Sequence, residues 1–320
     1  MRAIVRETYG PPEVLHLAEV PVPTLGDGDV LVRVRAASVN AGDGHLLRGT
    51  PLPLRLVAGL RKPRFKAIGA DVAGHVEAVG RNVTQFRLGD EVFGDLSRRG
   101  FGAYAEFAAA PETALALKPA NLCFEEAATL PTGGCTALQG LRKGRVQRAQ
   151  RGLINGASGG VGTFAVQIAR SFGAEVTAVC SARNMATMRS IGADHVIDYT
   201  RADFPTDGTR YDVILAANGD RSIWDYRRAL TADGRYAMTG GSNRQLAEAL
   251  VFGPLLSIGR QRFGNVLVKP NQTDLRVLKE LCEAGKMRPV IDRRFPLEAV
   301  SSAVRYVEDG HARGKVVVTV

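Results

Sequence analysis

The feature that most constrains the fold of this 320-residue chain is the run Asn155-Gly156-Ala157-Ser158-Gly159-Gly160-Val161-Gly162, placed directly after the short apolar pair Leu153-Ile154. Gly156, Gly159 and Gly162 stand three apart, a relative of the dinucleotide fingerprint rather than a literal G-x-G-x-x-G. A glycine string alone is weak; its context is stronger. Val161, Phe164, Ala165, Ile168 and Ala169 follow at i, i+3, i+4, i+7 and i+8, the spacing of a helix that buries one face. Strand, glycine turn and helix in that order place unpaired backbone N–H groups and the positive end of a helix dipole beside a turn without side chains, which suits a pyrophosphate. The expected ligand is a dinucleotide held by Gly156, Ser158, Gly159, Gly160, Val161 and Gly162; the plain alternative is a ligand-free αβ corner.

The sequence around this run supports an α/β class. Apolar runs at 153–155, 176–180, 196–199, 213–216, 236–239 and 266–268 alternate with amphipathic stretches, the grammar of a doubly wound parallel sheet. The first third reads differently. Val30, Val32 and Val34 alternate with Leu31, Arg33 and Arg35, and further strands are expected at 2–6, 72–79 and 104–108 between Gly and Pro breaks, which suggests a barrel-like β domain. After Pro270, helices are expected over 274–284 and 297–308 and a last strand over 316–320. Periodicity leaves open whether these final ~50 residues extend the parallel sheet or return to the β domain.

Composition removes several function classes. With 45% hydrophobic and 23% charged residues the chain reads as an ordinary folded protein rather than a disordered or fibrous one. The longest apolar stretch, 249–259, is broken by Gly253 and Pro254 and falls short of the ~18 residues of a membrane span, so no membrane partner is expected. Glu7 arrives before any apolar leader forms, which makes the expected address cytoplasmic. Cys123, Cys135, Cys180 and Cys282 are scattered without metal-ligand spacing, and no metal site is expected. The net charge of +10 is concentrated partly in Arg55/Arg61/Lys62/Arg64/Lys66 and Arg142/Lys143/Arg145/Arg148/Arg151. No nucleic-acid motif accompanies these runs, so they are read as solvated basic faces and nucleic acid is not expected as a partner.

The choice of dinucleotide falls about 20 residues past the first glycine, where an NAD site places an acidic residue on the ribose. Here the chain has Cys180-Ser181-Ala182-Arg183-Asn184, without a carboxylate. Ser181 and Arg183 suit a 2′-phosphate, so NADPH is expected over NADH; an exposed arginine at a helix start is the alternative for Arg183.

Several short segments together make the chain resemble the medium-chain dehydrogenase/reductase superfamily, in its zinc-free quinone oxidoreductase branch that includes the mitochondrial reticulon-interacting oxidoreductases. They are Ala36-Ala37-Ser38-Val39-Asn40, Gly69-Ala70-Asp71-Val72-Ala73-Gly74, Val76-Glu77-Ala78-Val79-Gly80, Gly89-Asp90-Glu91-Val92-Phe93-Gly94, Thr136-Ala137-Leu138, the glycine run and Gly314-Lys315-Val316-Val317-Val318. The resemblance implies a GroES-like catalytic domain at 1–120, a Rossmann NADP-binding domain at 121–265 and a segment at 266–320 that returns to the catalytic domain, with a cleft between the domains and a homodimer. Zinc-dependent members hold their metal with a Cys and a Gly-His-Glu segment. Here Ser38 stands at the Cys position and Gly69-Ala70-Asp71 replaces Gly-His-Glu, so tetrahedral zinc has no thiolate or imidazole to hold it.

What the resemblance then implies is hydride delivery from NADPH to an electrophilic acceptor, a quinone or an α,β-unsaturated carbonyl. Asn40 and Asp43 match the family's Asn-x-x-Asp segment, with His45 following as a donor to the substrate oxygen or, equally, a packing histidine; Asp43 is alternatively a helix cap. Thr136, Tyr199, Gly240 and Gly241 match family positions along the cofactor, against the plain readings of a helix-start hydroxyl, a strand-end tyrosine and a turn. The competing functional reading is a dinucleotide-bound protein- or RNA-interaction module whose catalysis is vestigial.

Overall fold

The computed structural model of the chain describes every residue except 203, 205–207 and 220. Fifteen described strands follow in chain order. They are β1 (Arg2–Val5), β2 (His16–Glu19), β3 (Asp29–Val39), β4 (Asp71–Val79), β5 (Glu91–Asp95), β6 (Phe107–Pro111), β7 (Leu115–Leu117), β8 (Arg151–Asn155), β9 (Glu175–Cys180), β10 (His195–Asp198), β11 (Tyr211–Ala216), β12 (Leu230–Met238), β13 (Arg262–Asn265), β14 (Ile291–Pro296) and β15 (Lys315–Thr319). The helices are α1 (Ala41–Arg48), α2 (Arg55–Ala58), α3 (Phe124–Ala127), α4 (Leu130–Gly144), α5 (Gly162–Ser171), α6 (Met185–Ser190), α7 (Ile223–Ala229), α8 (Asn243–Leu256), α9 (Gln272–Glu283) and α10 (Val300–Glu308). The chain divides into two units: Met1–Thr132 with Pro270–Glu283 and Pro289–Val320, and Gly133–Lys269 with Ala284–Arg288.

The first unit is built on a sheet in the order β14-β15-β3-β4-β5-β7, with β6 also paired to β3, and a separate antiparallel pair β1-β2. The alternation in β3 does what its pattern requires. Val30, Val32 and Val34 are buried in the core while Arg33 and Arg35 are exposed. β15 runs antiparallel to β3 with Val316 opposite Val39, and β14 runs parallel to β15, so the last strands of the chain complete this sheet rather than the other one.

The second unit is a six-stranded, wholly parallel sheet in the order β10-β9-β8-β11-β12-β13. The chain leaves the centre in one direction through β9 and β10, then crosses to β11 and continues outward, a doubly wound path whose switch point lies beside β8. Inner strands are apolar on both faces: Leu153, Val179, Ile214 and Ala216 are buried on one, and Ile154, Ala178 and Leu215 on the other. The outermost strand departs from the sequence expectation: it is β13 at Arg262–Asn265, not 266–268. An edge strand has one neighbour and a half-wet face, so it needs no apolar run; Val266 N–H still reaches Met238 O, and the chain then leaves toward Pro270.

Candidate active site

In the second unit β8 ends at Asn155, the turn at 156–161 follows, and α5 begins at Gly162. Two glycines there are dictated by geometry. Gly156 has φ +76°, and a Cβ on it would stand 2.7 Å from the backbone N and O of Asn218; a Cβ on Gly162 would stand 2.2 Å from Gly156 O. The turn is thus folded on itself and against the end of β11 at the switch point. Among the described residues, no backbone carbonyl accepts from the N–H groups of Ser158, Gly160, Val161 or Gly162. Those donors and the α5 dipole form the cradle that a pyrophosphate fits.

Ser181, Arg183, Tyr199, Gly240 and Gly241 follow the carboxyl ends of strands of the same parallel sheet. Ser181 precedes the single turn Ala182–Asn184 after β9, and its Oγ accepts from Asn184 Nδ2 at 3.2 Å. Arg183 is exposed on that turn, and Tyr199 is exposed after β10. Gly240 and Gly241 follow β12, and Ser242 caps α8 by accepting from Gln245 N–H. Thr136 differs from the helix-start alternative: it is buried well inside α4. A carboxylate that counting from Gly156 misses is Asp198 at the end of β10. It is held below the usual carboxylate range mainly by the Thr200 N–H and hydroxyl, and its Oδ1 lies 2.8 Å from Thr200 Oγ1. It is turned to the backbone, with the Ala182 N–H also contributing.

The first unit contains a buried polar cluster at the junction of β3, β4, β15 and α1. Ser38 and Asp71 are register partners across β3 and β4, and Ser38 Oγ donates to Asp71 Oδ2 at 2.7 Å. Asn40 Nδ2 donates to the same oxygen at 3.0 Å. Lys315 Nζ lies 3.5 Å from it and donates to Asn40 Oδ1 at 2.5 Å. Thr132, in the first turn of α4, closes the other side: its N–H and Oγ1 reach Asp71 Oδ1 at 2.9 and 2.6 Å. Both ends of the Asn40 carboxamide are therefore engaged by the protein itself.

Asn40 is also the N-cap of α1, and its backbone N–H donates to Asp43 Oδ2 at 2.8 Å, the reverse half of a capping box. Tyr104 OH donates to the same Asp43 oxygen at 2.9 Å. Asp43 is thus a cap and a buried acid at once. Burial pushes its carboxyl up to about 7, against the pull of the Asn40 N–H and the Tyr104 hydroxyl. Burial raises Tyr104 well above its ordinary value and lowers Lys315, the latter opposed by Asp71 and Asp43. Asp95 is raised by burial and then by Asp71, and its Oδ2 lies 3.2 Å from Thr132 Oγ1. His45, two residues along α1 from Asp43, is exposed on another side of the helix; the structure does not bring it into the cluster.

The sequence singled out Asn40 and Asp43 but not Tyr104, Thr132, Asp95 or Lys315. At the positions compared above with zinc ligands the chain has Ser38 and Ala70-Asp71, and the Lys315 amine lies 3.5 Å from Asp71 Oδ2. Among the described residues no three His, Cys, Asp or Glu side chains are grouped so as to hold a metal ion.

Comparison with known proteins covers the whole chain. Residues 26–120 match the alcohol dehydrogenase GroES-like domain, and residues 191–318 match the zinc-binding dehydrogenase model. The chloroplast envelope quinone oxidoreductase homolog of Arabidopsis thaliana is 33% identical over 331 residues, covering 99% of this chain and 98% of that protein. The NADPH-dependent alkenal/one oxidoreductase, chloroplastic, of the same plant is 34% identical over 336 residues, covering 99% of this chain and 79% of its own. The solved quinone oxidoreductase from Coxiella burnetii superposes with a TM-score of 0.88 at 30% identity, over 100% of this chain and 99% of that one. These relatives correct the cytoplasmic expectation: where a relative's name gives a compartment, it is the chloroplast or the mitochondrion. The physical reason is that residues 2–5 are strand β1 of the folded unit, so their lack of a leader pattern carries no address.

Proposed function

The chain belongs to the medium-chain dehydrogenase/reductase superfamily, in its zinc-free quinone oxidoreductase branch, and from that membership we propose that it is an NADPH-dependent oxidoreductase acting on a quinone or an α,β-unsaturated carbonyl. The observation that carries the reading is the bare glycine turn, in which Gly156 and Gly162 admit no side chain and four N–H groups have no backbone acceptor. When bound, NADPH supplies the hydride, so the protein's task is alignment and the handling of charge on the acceptor oxygen.

In this reading the N–H groups of 158 and 160–162 hold the pyrophosphate, and Ser181 with Arg183 holds the 2′-phosphate. Tyr199 packs on the same phosphate, and Thr136, Gly240 and Gly241 flank the nicotinamide end of the cofactor. Asn40 and Asp43 act as positioning residues: the first is clamped between Lys315 and Asp71, and the second holds the start of α1. His45, exposed on α1, is the proton donor to the acceptor oxygen. A homodimer through the edge strand β13 fits the same reading, because Leu250, Val251, Leu255 and Ile258 are exposed beside it. No described helix is long and apolar enough to cross a membrane, and nucleic acid has no part in the proposal.

The test is a panel of quinones and enones mixed with NADPH and purified protein. Loss of the reduced-nicotinamide absorbance faster than the protein-free control supports the reading. Tight NADPH binding without turnover on any acceptor contradicts it and leaves a vestigial, dinucleotide-bound module.

A further inference from the structure

In the first unit, residues 51–66 carry four large apolar side chains outward within nine positions: Leu52, Leu56, Val57 and Leu60 are 69%, 75%, 68% and 67% exposed. Isolated exposed leucines are ordinary, but four on one short segment are not. Nor is the segment free to fold them away. Tyr9 OH donates to Gly59 O at 2.6 Å, and Arg55 lies over the Tyr9 ring at 4.6 Å while its Nε donates to Gly49 O at 3.0 Å. Arg64 N–H donates to Ala58 O at 2.6 Å, and Ala58 and Pro63 are buried beneath. Gly59 makes the turn at φ +113°, where a Cβ would stand 2.2 Å from Lys62 O. The fold therefore holds the apolar side chains out in water.

Charge decides what covers them. Residues 51–66 contain no Asp or Glu, and Arg61, Lys62 and Arg64 are exposed beside the apolar side chains. Among the described residues, Lys66 alone of these exposed cations has an ion-pair partner, Glu7 at 3.1 Å. A second copy docking by the same face about a two-fold axis would bring identical cations against these, which is unfavourable. An anionic bilayer offers the complement: phosphates at the level of the arginine and lysine heads, and an acyl boundary for the leucines and valine between them.

We propose that this segment docks the chain peripherally on an anionic lipid surface, with Leu52, Leu56, Val57 and Leu60 in the acyl boundary and Arg61, Lys62 and Arg64 at the phosphates. This departs from the reading of the run as a merely solvated basic face. It does not depend on the enzymatic reading, since it uses none of the residues placed at the site.

The experiment is co-sedimentation of the full chain with vesicles of phosphatidylcholine with or without phosphatidylglycerol. Binding is expected with phosphatidylglycerol, at least about tenfold weaker without it, and lost in high salt. Leu56→Ser/Val57→Ser and, separately, Arg61→Glu/Lys62→Glu are each expected to lower it about tenfold or more, with far-UV circular dichroism and NADPH binding unchanged. Arg145→Glu/Arg148→Glu, the same charge change in the other unit, is expected to leave it intact. The proposal is overturned by any of four results: no binding to anionic vesicles; binding that the Leu56/Val57 variant does not weaken; loss of an oligomer rather than of vesicle binding in that variant; or a raised KM for the acceptor with vesicle binding unchanged.

Discussion

Lys315 Nζ and Asp71 Oδ2 lie 3.5 Å apart with 3% and 0% of their side chains exposed, so a lysine and an aspartate share one buried site. Removing the ammonium leaves Asp71 without its counter-charge and Asn40 Oδ1 without a donor. Lys315→Met is expected to lower the unfolding free energy by about 3–5 kcal/mol, the range for breaking a buried pair. In an Asp71→Asn background the same substitution should cost clearly less. Urea denaturation of the four chains measures this; equal costs in both backgrounds would show that the pair is not coupled.

Asp43 gives the fold a pH dependence with a definite sign. Its folded-state pKa is raised to about 7, so the protonated form is the one the fold prefers. Its contribution is complete below the unfolded carboxylate value near ~3.9 and is lost as pH rises toward about 7. Asp43→Asn keeps an acceptor for Asn40 N–H and Tyr104 OH but does not titrate. The parent should therefore lose stability relative to the variant from about pH 4 to about pH 7, by up to about 4 kcal/mol. Chemical denaturation across that window checks it, and a pH-independent difference rules it out.

Two neighbouring glycines are predicted to behave differently. A Cβ at 162 meets Gly156 O at 2.2 Å and the Ala157 backbone at 2.6 Å, whereas a Cβ at 159 meets nothing closer than Gly156 O at 3.6 Å. Gly162→Ala should force the turn open, costing about 1–3 kcal/mol of stability and most of the NADPH affinity. Gly159→Ala should melt like the parent. Thermal unfolding and fluorescence titration with NADPH distinguish the pair.

Arg183→Ala should weaken NADPH by about tenfold or more, the range for one charge-assisted hydrogen bond, and NADH by much less. Titration of the same protein with both cofactors reads the difference. Equal weakening would remove the 2′-phosphate role from Arg183.

The parts legible from sequence are those that local spacing encodes. The glycine turn announces itself because strand, turn and helix are contiguous, and β3 because alternation of Val and Arg has no other economical reading. The cluster around Asp71 is different. Lys315 reaches Asn40 only because β15 pairs with β3, and Asp71 faces Ser38 only through the β3–β4 register. No spacing along the chain encodes either contact. Asp198 lies at the end of β10, one strand beyond the place where spacing from the glycines seeks a ribose carboxylate. Position along the chain leaves Thr136 open to a helix start, whereas the continuity of α4 from Leu130 to Gly144 places it inside a helix.

The most direct test of a reductase that works without metal is turnover by protein freed of metal. Protein dialysed against a strong chelator and shown by elemental analysis to carry no stoichiometric zinc should oxidise NADPH with a quinone or enone at the untreated rate. Loss of turnover on chelation, restored by added zinc, would contradict the account.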